Sequence, residues 1–282
     1  MKQFLLREDP DREGLVRLRG GDYHYLVRVR RLRPGGGFDA ALPDGEAVSV
    51  TILAVDGEVH KGRVSPRTAD GAVPGPEGIR PVRPPPLVLF QALPGGAKMD
   101  LIVRQAAEGG VDEVAPFVSE RSAGRPPPDR AARMAERWRR IVREARQQSG
   151  SGVDTRIHPL MTAEELFAYW EGLKVPPLKP ARGEALGLVC RPGPLVQGGF
   201  HRYLDRELSL AALAVGPEGG FSAAELDRFT GAGFKPVSLG DTVLRTETAA
   251  LYGTAALRII LMEKARWTLN ERQIPEPVPD RP

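Results

Sequence analysis

Two hydrophobic grammars follow one another along the chain. Up to about Val64 the apolar residues come in short runs, Leu15-Val16-Arg17-Leu18, Tyr25-Leu26-Val27-Arg28-Val29 and Val48 to Val55, set among Gly35-Gly36-Gly37, Pro43-Asp44-Gly45 and Asp56-Gly57. Short apolar runs punctuated by turn residues predict a small antiparallel β-domain built from hairpins. Ser65 to Pro86 is rich in Pro and Gly without apolar periodicity, and reads as a linker or long loop. From Leu87 strands and helices alternate, which predicts α/β layers on a mostly parallel sheet. Strands are expected at Leu87 to Leu93, Val111 to Val118, Ala185 to Cys190, Leu208 to Val215 and Val237 to Leu239. Helices are expected over Ala97 to Glu108, from a cap at Asp129 to about Gln148, after Thr162, after Ser222, and from Thr246 to about Trp267. In the long helix Ala131, Met134, Ala135, Trp138, Ile141, Val142 and Ala145 form one stripe. Thr162 with Glu165, and Ser222 with Glu225, have the spacing of a capping box.

The 282 residues allow one large domain or two unequal ones. No apolar run approaches the ~18–20 residues of a membrane span. Lys2, Arg7 and Glu8 interrupt the N-terminus before any long apolar segment, unlike a secretory signal. A single cysteine, Cys190, excludes an intrachain disulfide framework and cysteine-based zinc sites, and makes a cytoplasmic location the default expectation. The four histidines are scattered without an i,i+4 pair, so no metal site is expected. Net charge is only +4, yet 33 of the 40 basic residues are arginine. Arginine forks onto phosphate and stacks on bases, which fits an RNA partner; it also fits a chain with an Arg-, Gly- and Pro-rich composition.

Two segments carry candidate chemistry. Ala214-Val215-Gly216-Pro217-Glu218-Gly219-Gly220-Phe221-Ser222 is a strand running into a glycine loop and a capped helix, where a ligand can approach the backbone and meet free helix N–H groups. It lacks the Gly-Lys-Ser/Thr of a P-loop and the glycine spacing of a dinucleotide fold. About twenty residues on, Val237 to Ala250 repeats the pattern of strand, glycine turn and polar helix start. Leu239, Val243 and Leu244 could wall an apolar slot for a flat ring, with Arg245 and Glu247 facing a cleft or, alternatively, forming a surface ion pair. Basic residues cluster at Arg28, Arg30, Arg31 and Arg33, and Arg133, Arg137, Arg140, Arg143 and Arg146 stud the long helix; either set can neutralise phosphate or be a solvated charged face.

The blocks Gly216-Pro217-Glu218-Gly219-Gly220-Phe221-Ser222 and Leu239-Gly240-Asp241-Thr242-Val243-Leu244-Arg245-Thr246-Glu247-Thr248-Ala249 resemble the signature of the RsmE family, the ribosomal RNA small subunit methyltransferase E group of the SPOUT superfamily. The similarity extends to Asp100 to Val111, Pro116 to Ser122, Arg137 to Ser149 and His24 to Leu32. The resemblance implies an α/β fold: a C-terminal SPOUT-type trefoil-knotted methyltransferase domain over 87–270, behind a small N-terminal PUA-like β-barrel domain over 1–68. A Pro/Gly-rich linker over 69–86 and a Pro-rich tail over 271–282 complete that division. It implies S-adenosylmethionine as methyl donor, N3 of one uridine in 16S rRNA of the small ribosomal subunit as target, and a homodimer.

Carried over residue by residue, Gly216, Pro217, Gly219, Gly220, Leu239, Gly240, Val243 and Leu244 would enclose the cofactor. Arg245 would stabilise charge on the uridine, with Glu218 or Glu247 orienting it or relaying a proton. Arg28, Arg30, Arg31, Arg33, Arg121, Arg140 and Arg143 would contact RNA. Other readings on the same fold are methylation of another RNA position or of transfer RNA, and a non-catalytic RNA-binding assembly factor. The chain departs from the family pattern at Gln105, Gly109 and Ser151.

Overall fold

The computed structural model describes residues 4–6, 8–19, 21–23, 26, 32–43, 47–56, 59–66, 84–174, 183–191, 193 and 200–270. The expectations at Arg28, Arg30 and Arg31, along most of the linker and in the tail lie outside these residues. Two units divide the chain, Met1–Ile79 with Val142–Asp154, and Arg80–Ile141 with Thr155–Pro282. The first unit thus takes in the end of the long helix, well inside the segment expected to be one catalytic domain.

In the first unit, alternation of apolar and polar residues produces strands with one buried face. They are β1 (Phe4–Leu5), β2 (Leu15–Arg19), β3 (Gly37–Ala41), β4 (Ala47–Asp56) and β5 (Val59–Pro66), with the short helix α1 (Gly21–Tyr23) after β2. The sheet order is β1-β3-β4-β5-β2. Val48, Val50 and Ile52 point inward from β4 and meet Val16, Leu18, Leu26, Phe38 and Ala40 in one core. Gly62 faces that core because a Cβ there would come within 2.7 Å of Val50 Cγ1. Two expectations are corrected. The β1–β3 pair is parallel, so the sheet is not made of hairpins alone. Gly37 opens β3 opposite Thr51 instead of closing a turn, since pairing with the long β4 recruits it.

The second unit is the α/β layer structure that the pattern predicts. Its strands are β6 (Leu87–Ala92), β7 (Glu113–Phe117), β8 (Arg156–Ile157), β9 (Glu184–Cys190), β10 (Leu208–Val215) and β11 (Lys235–Val237). They form one sheet in the order β11-β9-β10-β6-β7-β8, and every pairing is parallel. The helices are α2 (Lys98–Glu108), α3 (Pro128–Ser149, which passes into the first unit at Val142), α4 (Ala163–Lys174), α5 (Phe200–Leu204), α6 (Ala223–Gly231) and α7 (Thr246–Asn270). A parallel sheet is covered on both faces, which is why β6 and β10 are almost continuously apolar and buried.

Phe90, Phe117, Trp170, Phe229 and Phe234 fill the core on one side of the sheet. Gly187 and Gly253 let partners approach: a Cβ at Gly187 would meet the Phe234 ring at 2.9 Å, and one at Gly253 would meet Leu213 Cδ2 at 2.5 Å. Both expected capping boxes form, Thr162 with Glu165 before α4 and Ser222 with Glu225 at α6. Helix α3 begins two residues earlier than a cap at Asp129 implies, with Pro128 in its first turn, where its missing N–H costs nothing. Asp129 therefore lies inside the helix and pairs with Arg133. No described helix is long and apolar enough to cross a membrane.

Candidate active site

In an open parallel sheet ligands bind outside the carboxyl ends of the strands, where the chain order reverses. That reversal lies between β10 and β6, and beside it a cleft of about 620 Å³ opens at the carboxyl ends of β9, β10 and β11, whose last residues Cys190, Val215 and Val237 line it. The segments following β6, β7, β9, β10 and β11 all contribute to its wall, through Lys98, Arg121, Arg191, the loop from Gly216 to Phe221, and the loop from Ser238 to Arg245. The two glycine loops found in the sequence therefore face one cavity.

The first loop leaves β10 in a tight turn, with the Gly220 N–H donating to the Pro217 carbonyl. A side chain at Gly216 would crowd the loop's own backbone, because a Cβ would sit 3.1 Å from Gly220 Cα and 3.3 Å from Phe221 N. Gly220 occupies φ +66°, a region glycine enters without strain. Phe221 turns inward and packs on Phe117 and Phe229, seating the far end of the loop in the core. Glu225 caps α6 and also accepts from the Glu120 N–H at 3.0 Å, which joins this loop to the segment after β7.

The second loop is drawn back to the first. Thr246 Oγ1 donates to the Gly216 carbonyl at 2.6 Å and accepts from Gln91 Nε2 at 3.0 Å. Gly240 sits at φ +135°, and Ser238 Oγ donates to its carbonyl. Val243 stands 85% exposed at the rim and Leu244 is half-buried.

All eight residues expected at the cofactor line this cleft, as do Arg245, Glu218 and Arg121. Arg245 is exposed there. The Glu218 carboxylate accepts from the Gly95 N–H at 3.0 Å and from the Lys98 ammonium at 2.5 Å. Burial raises its pKa, but Lys98 and the backbone amides outweigh that and hold it below the usual carboxylate range. Arg121 donates to the Gly219 carbonyl at 2.8 Å. Glu247 is not among the lining residues, and its Oε2 is buried with no hydrogen-bond partner among the described residues.

Of the remaining arginines, Arg33, Arg140 and Arg143 are exposed. Arg146 is corrected from a surface stud to a buried residue, 2% exposed and paired with Asp154. It continues the i, i+4 line of Trp138 and Val142, so the apolar stripe carries it inward. At the departures from the family pattern, Gln105 on α2 buries an Oε1 with no hydrogen-bond partner among the described residues, Gly109 forms the end of that helix, and Ser151 Oγ accepts from the Val153 N–H.

Sequence reasoning missed Lys98, Cys190 and Arg191 as wall residues. Pro94-Gly95-Gly96 after β6 was the available signal, a third glycine turn at a strand end. Cys190 ends β9, and burial pushes its thiol up to about 12, which keeps it protonated and poorly nucleophilic.

An all-parallel sheet with a double-loop cleft at its strand ends belongs to a recognisable class: residues 82–258 match the RNA methyltransferase domain family. Proteins named ribosomal RNA small subunit methyltransferase E from Synechocystis sp. and Mycobacterium bovis are each 30% identical to the chain. The first similarity covers 88% of this chain and 74% of the relative, the second 92% and 90%. The crystal structure of the Neisseria gonorrhoeae protein of that name, bound to S-adenosyl methionine, is 26% identical with a TM-score of 0.69, over 92% of this chain and 98% of that one. The chain belongs to the ribosomal RNA small subunit methyltransferase E (RsmE) family.

Proposed function

We propose that the protein transfers a methyl group from S-adenosylmethionine to N3 of one uridine in 16S rRNA. The observation carrying this reading is the meeting of both glycine loops on one cleft with the exposed Arg245 at its wall. The cleft volume falls within the ~300–1,000 Å³ common for small-molecule sites. Gly216, Pro217, Gly219 and Gly220 on one side, and Leu239, Gly240, Val243 and Leu244 on the other, offer backbone groups and an apolar slot to the adenosine end.

Bound S-adenosylmethionine supplies an electrophilic methyl carbon. The imide N3 of uridine becomes nucleophilic as its proton leaves, and the resulting negative charge spreads over the two flanking carbonyls. Arg245 is placed to stabilise that charge. Glu218 is already bound to Lys98 and Gly95, which favours a part in positioning over one in proton transfer. Glu247, outside the lining, would act through the start of α7. N3 is occupied in a base pair, so the uridine must be presented unpaired. Arg33, Arg140 and Arg143 are proposed to hold the surrounding RNA, together with Arg28, Arg30 and Arg31.

The same reading takes the first unit as PUA-like, with the 1–68, 69–86, 87–270 and 271–282 division of the chain, and takes the second unit as trefoil-knotted. The knot draws support from Thr246: the chain leaves β11 at the sheet edge, yet nine residues later bonds to Gly216 and Gln91 at the ends of β10 and β6. A homodimer draws support from the exposed apolar Tyr252 and Ile259 of α7 and Leu101 of α2.

The test is methyl transfer from labelled S-adenosylmethionine to small ribosomal subunits lacking the modification, followed by digestion and mass spectrometry. The expected product is 3-methyluridine. Another methylated nucleoside would move the target; cofactor binding without transfer to subunits or free RNA would make the chain a binding protein.

A further inference from the structure

Helix α2 has Asp100 in its first turn but no side-chain cap of its own. Its N-cap is Ala97, which offers no side-chain acceptor, and its first residue is Lys98, a cation at the end where the helix dipole is positive. Glu218, 120 residues away in the glycine loop, meets that lysine. Its carboxylate accepts from the Gly95 N–H and from Lys98 Nζ, so it ties down the glycine turn before α2 and neutralises the lysine together. At the next position of the loop, Gly219 gives its carbonyl to Arg121 at 2.8 Å, and a Cβ there would lie 3.3 Å from Arg121 Cβ. The loop is thereby held from two neighbouring strand ends, after β6 and after β7. Both cations line the cleft, but each is turned to the protein's own backbone or carboxylate.

We propose that Lys98 and Arg121 are positioning residues that hold the Gly216–Gly220 loop in its cofactor-binding shape, Lys98 through the Glu218 carboxylate and Arg121 through the Gly219 carbonyl. This rests on the cofactor reading given above. It assigns Arg121 to the loop instead of to RNA, and gives the loop glutamate a reason to be acidic that needs no proton transfer.

The experiment is calorimetric titration of S-adenosylmethionine into wild type, Lys98→Met, Lys98→Arg, Glu218→Gln, Arg121→Met and the Lys98→Met/Glu218→Gln double variant, with kcat and KM measured alongside. Removing either member of the pair is expected to weaken binding roughly five- to tenfold, because the loop loses its anchor to the segment after β6. Lys98→Arg restores most of it, and the double variant is no worse than the weaker single one. Arg121→Met is expected to lose about tenfold. In each, KM for the cofactor rises by more than kcat falls. Lys98 and Glu218 are both over a third exposed, so folding should survive their replacement. As a second readout, raising salt from ~0.05 to ~0.5 M weakens binding in wild type more than in the double variant. Unchanged affinity in the variants, or additive losses in the double variant, would overturn the proposal. A wild type that binds no S-adenosylmethionine would instead remove the cofactor reading on which it rests.

Discussion

Thr246 and Gly216 are thirty residues apart in sequence and joined by one hydrogen bond, hydroxyl to carbonyl at 2.6 Å, at the point where the two glycine loops meet. Gln91 Nε2 completes the chain by donating to the same hydroxyl. Thr246 is 4% exposed, so water cannot replace it. Thr246→Val keeps the shape but strips the Gly216 carbonyl of this donor and leaves Gln91 Nε2 with only its bond to the Ala92 carbonyl, at about 1–3 kcal/mol. The expected outcome is a melting temperature lower by roughly 2–8 °C, with weaker cofactor binding, while Thr246→Ser retains both. Thermal melts and titration of the two variants decide it.

Arg245 is exposed at the cleft wall, so its removal leaves no buried group orphaned. Arg245→Ala is therefore expected to fold normally and to bind S-adenosylmethionine within a few-fold of wild type. Turnover should fall by ~10²–10³, the usual cost of deleting a donor to developing charge. Equal losses in binding and turnover would assign the residue to the cofactor instead.

Alanine at three glycines should give opposite signs. At Gly253 on α7 the new Cβ would press on the fully buried Leu213 at 2.5 Å, and at Gly187 on β9 it would press on Phe234 at 2.9 Å. Overpacking of this kind costs about 1–3 kcal/mol, more than the helix propensity gained at Gly253. Gly172 on α4 has nothing within 4 Å, so Gly172→Ala is expected to stabilise by roughly 0.5–1 kcal/mol. Chemical denaturation of the three variants measures all of this on one scale.

What could be read from the sequence was local. The run from Leu87 to Ala92 is buried and strand-forming by composition, and Ser222 with Glu225 caps α6 through atoms three residues apart. Both glycine loops announced themselves because glycine is needed where backbone crowds backbone, as at Gly216. The partners that give those loops their shape were not legible. Lys98 reaches Glu218 across 120 residues, and nothing in the spacing of either says so. The same holds for the parallel pairing of Phe4 with Ala40, which needs two chain segments brought together by the rest of the sheet. Arg146 shows the other failure, in which residue type overruled periodicity: its place on the Trp138 and Val142 line was visible, and its charge argued against burial.

At the opposite end of β7 from the cleft, Glu113 accepts from His158 Nε2 and from the Tyr169 hydroxyl, each at 2.5 Å. Burial raises the Glu113 pKa, but these two donors and the charges of His158 and Arg156 outweigh it, so the folded value lies below the unfolded one. A depressed carboxylate pKa adds stability that is complete above the unfolded pKa, near 4.5, and fades as pH falls through the folded value. Wild type should thus lose melting temperature below about pH 4.5 more steeply than Glu113→Gln. Tyr169, whose hydroxyl pKa is raised by burial and by Glu113, stays protonated throughout that range. Parallel slopes for the two proteins would mean that Glu113 does not carry the linkage.

Tyr252 and Ile259 stand seven residues apart on α7, about two helical turns, and are 60% and 57% exposed. Leu251 beside them and Leu101 on α2, a helix packed against α7, are also exposed. An isolated exposed apolar residue needs no explanation, but several on two adjoining helices form a surface that water covers poorly. A second copy of the chain, meeting this face about a two-fold axis, would bury the same residues twice. Light scattering is therefore expected to give the mass of two chains for wild type and of one chain for the Tyr252→Asp/Ile259→Asp variant, because each charge would be buried without a partner in the pair. A wild type that runs as a single chain at all concentrations would leave the face to another partner, and a variant that still pairs would place the interface elsewhere.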